Sequence, residues 1–119
     1  MTILGTGIDI VEVGRFKRAA QKGGEPFLNR IFSRRELAEL KGRRDPWEGL
    51  SARFAVKEAV VKAFGARRDR PTSLTSIEVL KTENGVPVVT LAQKGVCVLI
   101  SLSHSKAYAV ASALLLTRR

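Results

Sequence analysis

Three charged side chains are spaced so that they could act together on a phosphate. Glu58 and Lys62 are four residues apart in a predicted helix, so one turn brings them onto the same face. Asp9 lies in the apolar run Gly7-Ile-Asp-Ile-Val11, which is typical of a strand and would hold its carboxylate rigidly. Two acids and a lysine suit a metal ion and a phosphate, so they indicate phosphoryl chemistry. The alternative for Glu58 and Lys62 is an ordinary surface ion pair, which contributes only roughly 0.2–0.5 kcal/mol.

The start of the chain predicts a strand followed by a helix. Ile3 to Val11 combines apolar, small and β-branched residues and would carry the first acid. A helix is expected from about Val13 to Lys22, and Gly23-Gly24 is expected to break it.

The middle of the chain predicts a short helix and then a long one. Ser33 and Glu36 have the spacing of a capping box, so a short helix should run to about Lys41. Asp45-Pro46 is a helix start signal and Gly65 can adopt the left-handed stop, which frames a helix of roughly 19 residues. Its predicted buried stripe consists of Trp47, Leu50, Phe54, Val61 and Phe64.

The second half of the chain is rich in β-forming residues. Asn84-Gly85 predicts a hairpin, and the run from Ala107 to Leu116 could be a helix or a buried strand, with its neighbour favouring the strand. Helices in the first half and strands in the second predict an α+β domain, a mainly antiparallel sheet packed against a long helix, over residues 1–119. After a basic loop at 66–73, the strand-like segments are Ile77 to Lys81, Val86 to Leu91 and Val96 to Ser103.

Length and composition narrow the class of protein. A chain of 119 residues is large enough for one domain with its own core. No apolar run approaches the roughly 20 residues that a membrane span needs, and no secretory signal is evident, so a cytoplasmic protein is expected. The one cysteine, Cys97, lies in an apolar run and is expected to be a small buried side chain rather than a nucleophile.

The formal net charge of +10 predicts an acidic partner. Nucleic acid, anionic lipid, a charged cofactor and an acidic protein all fit the charge alone. One rival hypothesis is therefore a basic nucleic-acid-binding module without catalysis, in which the loop Arg67-Arg-Asp-Arg70 would bind phosphates. Few aromatic residues lie outside core-like positions, so no base-stacking platform is evident. A noncatalytic scaffold would leave the two acids and the lysine without a purpose.

Three ordered motifs resemble the holo-acyl-carrier-protein synthases, the short single-domain class of 4'-phosphopantetheinyl transferases. The resemblance covers nearly the whole chain. It implies transfer of the phosphopantetheine arm of coenzyme A to a serine of apo acyl carrier protein, with release of 3',5'-ADP, in support of fatty acid biosynthesis. The motifs are Gly7-Ile-Asp-Ile-Val-Glu-Val-Gly-Arg-Phe16, Ala52-Arg-Phe-Ala-Val-Lys-Glu-Ala59 with Lys62, and Ser101-Leu-Ser-His-Ser105 with Tyr108-Ala-Val-Ala111.

The resemblance also implies roles for individual residues. Asp9 and Glu58 would bind magnesium, with manganese as the alternative ion, and Lys62 would bind phosphate beside them. The base that deprotonates the serine stays open among Glu58, a metal-bound water and Lys62. The residues implied in coenzyme A binding are Arg53, Lys62, Ser103, His104 and, less directly, Arg43 and Arg44.

Protein partners follow from the same resemblance. Acyl carrier proteins are acidic, so a basic helix face is expected to dock them, with Phe16 and Phe27 as apolar anchors. A homotrimer with active sites shared between subunits is implied as well, and the apolar carboxyl-terminal strands agree with an interface. One departure from the family pattern is Gly65-Ala66-Arg67, where many relatives carry Gly-x-Gly. The predicted docking residues are Arg15, Arg18, Lys22 and Arg30.

Overall fold

The computed structural model describes residues 1–118. One strand is followed by three helices, and the remaining strands come after them. The predicted α+β architecture is confirmed. In chain order the elements are β1 (Ile3–Glu12), α1 (Val13–Ile31), α2 (Arg34–Leu40), α3 (Trp47–Phe64), β2 (Glu78–Lys81), β3 (Pro87–Thr90), β4 (Val96–His104) and β5 (Tyr108–Thr117).

Three long strands form the main sheet in the order β1-β5-β4, with both pairs antiparallel. The first strand therefore pairs only with the last, and Asp9 lies opposite Ala111. The strand alternative for the run from Ala107 to Leu116 is confirmed. Alternation along β1 turns Gly5 and Gly7 toward α3, whereas Ile8 and Ile10 remain largely exposed on the other face.

The predicted hairpin at Asn84-Gly85 is confirmed, but its strands form a separate two-stranded sheet, β2-β3. Side chains of α2 occupy the outer edge of β2 and leave no room for another strand. The Val79 N–H donates to Glu36 Oε2 at 2.8 Å, and the Lys81 N–H donates to Glu39 Oε1 at 3.4 Å.

Helix α3 lies against the main sheet and is buried on most of its circumference. Ala55, Val56, Ala59 and Val60 have no solvent exposure. The predicted narrow stripe was therefore wrong in part: Leu50 and Phe64 are buried, whereas Trp47, Phe54 and Val61 are half-buried. The predicted stop at Gly65 is confirmed by its φ of 57°.

The start of α3 differs from the predicted cap. The N-cap residue is Pro46, which has no side chain to satisfy the free backbone amides. Asp45 precedes the N-cap residue by one position, and its carboxylate accepts a hydrogen bond from the Trp47 N–H at 3.1 Å. At α2 the predicted capping box between Ser33 and Glu36 is present in full.

Helix α1 continues seven residues past the predicted break at Gly23-Gly24. Gly24 does interrupt the helical conformation, with φ 65° and ψ −154°, but the chain then resumes the helix as far as Ile31. Pro26 is tolerated because it falls in the first turn of this second segment, where no intrahelical partner is needed for its nitrogen. The prediction that the helix ends near Lys22 was wrong for this reason.

Candidate active site

The structure brings Asp9 and Lys62 into contact. Lys62 Nζ donates to Asp9 Oδ1 at 3.1 Å and to the Ile8 carbonyl oxygen at 2.9 Å. The contact depends on how closely β1 approaches α3. A Cβ atom at Gly7 would overlap the carbonyl oxygen of Ala59, so only glycine permits this backbone separation.

Glu58 completes the cluster on the same face of α3, one turn before Lys62. Glu58 and Asp9 line one cavity of about 510 Å³. Partial burial raises the pKa of Glu58, the negative charge of Asp9 raises it further, and Lys62 lowers it. The site thus holds two mutually repelling carboxylates and a single lysine between solvent and core.

This donor set fits a magnesium ion. Both ligands would be carboxylate oxygens, which Mg²⁺ prefers, and a cation between Asp9 and Glu58 would remove their repulsion. Among residues 1–118 there is no group of three or more histidine, cysteine, aspartate or glutamate side chains that could bind a metal. The two carboxylates would therefore share the ion with water and substrate phosphate rather than enclose it.

The rest of this cavity is aromatic and apolar, with one cation at its edge. Phe16 packs against Phe54 with ring centroids 5.2 Å apart and against Phe27 at 5.8 Å. Arg15 lines the same cavity and is exposed. The acidic pair therefore lies beside an apolar surface that a second protein could contact.

A second cavity, of about 400 Å³, contains the predicted nucleotide-binding residues Arg43, Arg53 and His104. Arg53 is buried, and its guanidinium donates to the Glu36 carbonyl oxygen at 3.1 Å and to Glu39 Oε1 at 2.6 Å. Two of its donors are therefore already occupied. Lys81 also lines this cavity, although the sequence pattern does not single it out.

Three predicted coenzyme A residues, Lys62, Ser103 and Arg44, do not line this cavity, and Lys62 lies beside Asp9 instead. Ser103 precedes His104 on β4, so its side chain points to the other face of the sheet, where it lines a shallow cleft with Ile8 and Ser112. Arg44 is exposed and lines neither cavity.

The two cavities use different faces of α3. Glu48, Gly49, Ala52 and Arg53 line the second cavity, whereas Phe54 and Glu58 line the first. At about 100° per residue, the centres of these two sets are about 170° apart around the helix axis. One chain therefore presents its acidic cluster and its basic cavity in different directions.

The four predicted docking residues are all exposed. Arg18 lies 3.8 Å from Glu12, a loose contact between exposed groups. The kink at Gly24 separates Arg30 from Arg15, Arg18 and Lys22, so the four do not share one straight helix face.

Lys57 precedes Glu58 in the second motif, but it lies in the protein interior. It has no solvent exposure, and its Nζ donates to Glu36 Oε1 at 2.6 Å and to the carbonyl oxygens of Ile31 and Leu74 at 2.8 and 2.9 Å. Its position three residues before Val60 and seven before Phe64, on one helical face, is the sequence signal that could have revealed its burial.

Arg67, the departure from the family pattern, and Cys97, the one cysteine, also have clear surroundings in the structure. Arg67 forms a two-pronged ion pair with Asp69, both contacts at 3.0 Å, on an exposed loop. Cys97 is half-buried rather than buried, because it lies near the start of β4, an edge strand of the main sheet.

Comparison with known proteins agrees with this geometry. Residues 5–113 match the family model of the 4'-phosphopantetheinyl transferase superfamily, and the chain belongs to that family. A holo-[acyl-carrier-protein] synthase from Thermodesulfovibrio yellowstonii is 42% identical over 92% of this chain and 95% of its own. A second, from Natranaerobius thermophilus, is also 42% identical, over 95% of this chain and 97% of its own.

Solved structures give the same result. A holo-(acyl-carrier-protein) synthase from Bacillus anthracis, crystallised with CoA (3',5'-ADP), aligns with a TM-score of 0.84 and 35% identity, covering 97% of each chain. The recognition of this family from the three motifs is confirmed. The rival hypothesis of a basic nucleic-acid-binding module receives no support. In residues 1–118, none of the helices is sufficiently long and apolar to span a membrane.

Proposed function

We propose that this chain transfers the 4'-phosphopantetheine arm of coenzyme A to a serine of apo acyl carrier protein and releases 3',5'-ADP, in support of fatty acid biosynthesis. The observation that carries the proposal is the convergence of Asp9, Glu58 and Lys62 beside an apolar cavity, in a chain of this family. We place the reaction in the cytoplasm, as expected from the sequence.

The reaction is a displacement at the β-phosphorus of the coenzyme A pyrophosphate. The serine oxygen forms a new bond to this phosphorus, the bond to the bridging oxygen breaks, and the electron pair leaves with 3',5'-ADP. Negative charge builds on the phosphate oxygens, so positioning and electrostatic stabilisation supply most of the catalysis. Magnesium, or manganese, held by Asp9 and Glu58 would supply positive charge there when bound.

Lys62 would bind phosphate, and Glu58 or a water molecule beside it would remove the proton of the serine. Lys62 Nζ lies 3.1 Å from Asp9 Oδ1, so its ammonium is placed to bind a phosphate at the acidic pair. Burial and Asp9 raise the pKa of Glu58 in the metal-free site and a bound cation would lower it, so we assign the serine proton to Glu58 or a water molecule beside it on position rather than on pKa.

The nucleotide would bind in the cavity that contains Arg43, Arg53 and His104, because cations and an imidazole suit its phosphates. This cavity and the acidic cluster face different directions on one chain, which supports a site completed by a second subunit. Ile8, Ile10 and Leu99 support an interface, since each is at least 60% exposed on the sheet. We propose a homotrimer, which light scattering of the purified protein would test.

The carrier protein would dock on α1. An acidic partner is attracted by the exposed cations, and the half-buried Phe27 and Phe54 offer apolar contact beside the acidic cluster. Phe16, which the sequence also suggested as an anchor, is buried in the core instead. Charge reversal at Arg15 and Arg18 is expected to raise the KM for carrier protein while leaving coenzyme A binding intact. A parallel loss of both would indicate misfolding instead.

The reaction itself is tested by incubating the protein with coenzyme A, magnesium and apo acyl carrier protein and weighing the carrier by mass spectrometry. We expect a mass gain of one phosphopantetheine, abolished by a chelator and by Glu58→Ala. No gain with several carrier proteins, together with salt-sensitive binding to DNA or RNA, would refute the proposed activity.

A further inference from the structure

Glu48 is one of two acids, with Asp45, that line the cavity proposed to bind phosphates, and the proposed reaction gives it no role. It lies in the first turn of α3, and its Oε1 is 2.8 Å from Nδ1 of His104 at the end of β4. Both side chains are partly exposed, at 34% for Glu48 and 41% for His104. The contact joins two elements that are far apart in sequence.

The chemistry of this contact fixes which ring nitrogen carries a proton. A carboxylate can only accept a hydrogen bond, so His104 must donate from Nδ1. Nε2 is then the ring nitrogen left for a ligand. When Nε2 is protonated as well, it becomes a donor, and the carboxylate of Glu48 compensates the charge on the ring.

The surroundings indicate what that ligand is. Arg43 and Lys81 are exposed cations that line the same cavity, and Arg53, which is paired with Glu39, forms part of its wall. Phosphate oxygens accept hydrogen bonds from the arginine and lysine groups, and from His104 Nε2 when that nitrogen is protonated. An acid that merely occupied this cavity would oppose phosphate binding, whereas an acid bonded to Nδ1 prepares the imidazole for it.

We propose that Glu48 is a positioning residue that holds His104 with Nδ1–H toward its carboxylate and Nε2 toward a phosphate of the coenzyme A nucleotide. This inference rests on the proposed function. Glu48 does not itself touch the reacting atoms.

Kinetics give the first test. Glu48→Ala is expected to raise the Kd and KM for coenzyme A by roughly 10-fold with kcat nearly unchanged. Metal-binding histidines lose affinity by a similar factor when the group that orients the ring is removed. Glu48→Gln keeps an acceptor without the charge and is expected to give an intermediate effect. Asp45→Asn is the matched control, because it removes one negative charge from the same cavity, keeps an acceptor for the Trp47 N–H and makes no contact with His104.

A double-mutant cycle shows whether the effect passes through His104. In the His104→Ala background, Glu48→Ala should cause no further loss of coenzyme A affinity. An equal loss in both backgrounds would overturn the positioning role.

The imidazole can also be observed directly, because His104 is the one histidine in the chain. Nitrogen-15 NMR of the wild-type protein should show a protonated Nδ1, and Glu48→Ala should lose this signature while circular dichroism stays unchanged. An unaltered Nδ1 signal and an unaltered coenzyme A Kd would overturn the inference. A wild-type protein that binds coenzyme A but transfers nothing would instead refute the proposed reaction, whereas failure to bind coenzyme A at all would overturn both.

Discussion

Lys57 and Glu58 are neighbours in α3, yet their environments are opposite. Lys57 is completely buried, and its ammonium is surrounded by the Glu36 carboxylate and two backbone carbonyl oxygens. Glu36 in turn accepts from the backbone amides of Ser33 and Val79. Every charge in this pair is compensated, which suits a structural role.

The charge of Glu58 is not compensated in this way, because the nearby carboxylate of Asp9 repels it. The carboxylate of Asp9 faces the same cavity, and the available cation, Lys62, bonds to Asp9. Two adjacent charged residues therefore differ in role: Lys57 stabilises the fold, and Glu58 belongs to the reactive site. Compensation of charge, rather than the presence of a charge, separates Lys57 from Glu58.

The largest effect is expected when the buried pair is broken. Lys57→Met leaves the Glu36 carboxylate buried without its partner, and we expect a loss of about 3–5 kcal/mol in the free energy of unfolding. Lys62→Met is the matched control, since removing the more exposed lysine should cost less than about 1 kcal/mol. Urea denaturation of both variants measures the difference, and equal midpoints would contradict the comparison.

The reverse pattern is expected at Glu58. Glu58→Gln keeps the shape of the side chain and removes its repulsion with Asp9, so stability should be retained or slightly increased. The transfer rate should fall by about 10²- to 10³-fold, the usual cost of removing one group that stabilises transition-state charge. Carrier loading followed by mass spectrometry gives the rate, and a variant that is destabilised but active would break the distinction between the two sites.

Gly7 links the two regions, because it sets the distance between β1 and α3. Gly7→Ala would force a methyl group against the Ala59 carbonyl oxygen, and we expect a loss of about 1–3 kcal/mol in stability together with weaker activity. Gly14→Ala is the control, because its methyl group would meet only the flexible side chain of Arg18. Thermal unfolding distinguishes them: an equally mild effect at both positions would mean that the strand can shift away.

The smallest effect is a change in the pH dependence of stability. In the presence of a chelator, the folded pKa of Glu58 lies above its ordinary value of 4.5. Between these two values the folded state binds more protons than the unfolded state, so the free energy of unfolding falls as the pH rises through that window. Glu58→Gln should remove this fall, which urea titrations across the acid-to-neutral range would detect. Identical pH profiles would show that burial and Asp9 do not raise the pKa of Glu58 in the folded state.

Local signals in the sequence predicted much of the fold. Ser33 with Glu36, Asn84-Gly85 and Gly65 each act through hydrogen bonds or backbone angles within a few residues, and each prediction is confirmed. The helix beyond Gly24 was missed because two glycines suggest an end, whereas a kink followed by Pro26 restarts the helix.

Long-range contacts explain what the sequence could not reveal. The burial of Lys57 could be inferred from its helical face, but the groups that compensate its charge, the Ile31 and Leu74 carbonyl oxygens, belong to distant segments. In the same way, no spacing rule pairs Glu48 with His104. The contact between Asp9 and Lys62 was anticipated through the resemblance, and the close backbone approach at Gly7 supplies its physical cause.

The pairing of the first strand with the last has a consequence during protein synthesis. Asp9 leaves the ribosome early, but its strand has only β5 as a sheet partner, and β5 is translated near the end of the described chain. Contacts of such long sequence separation form late in folding. A nascent chain that still lacks β5 would therefore lack the strand that holds Asp9 in place, and it could not consume coenzyme A until β5 has been translated.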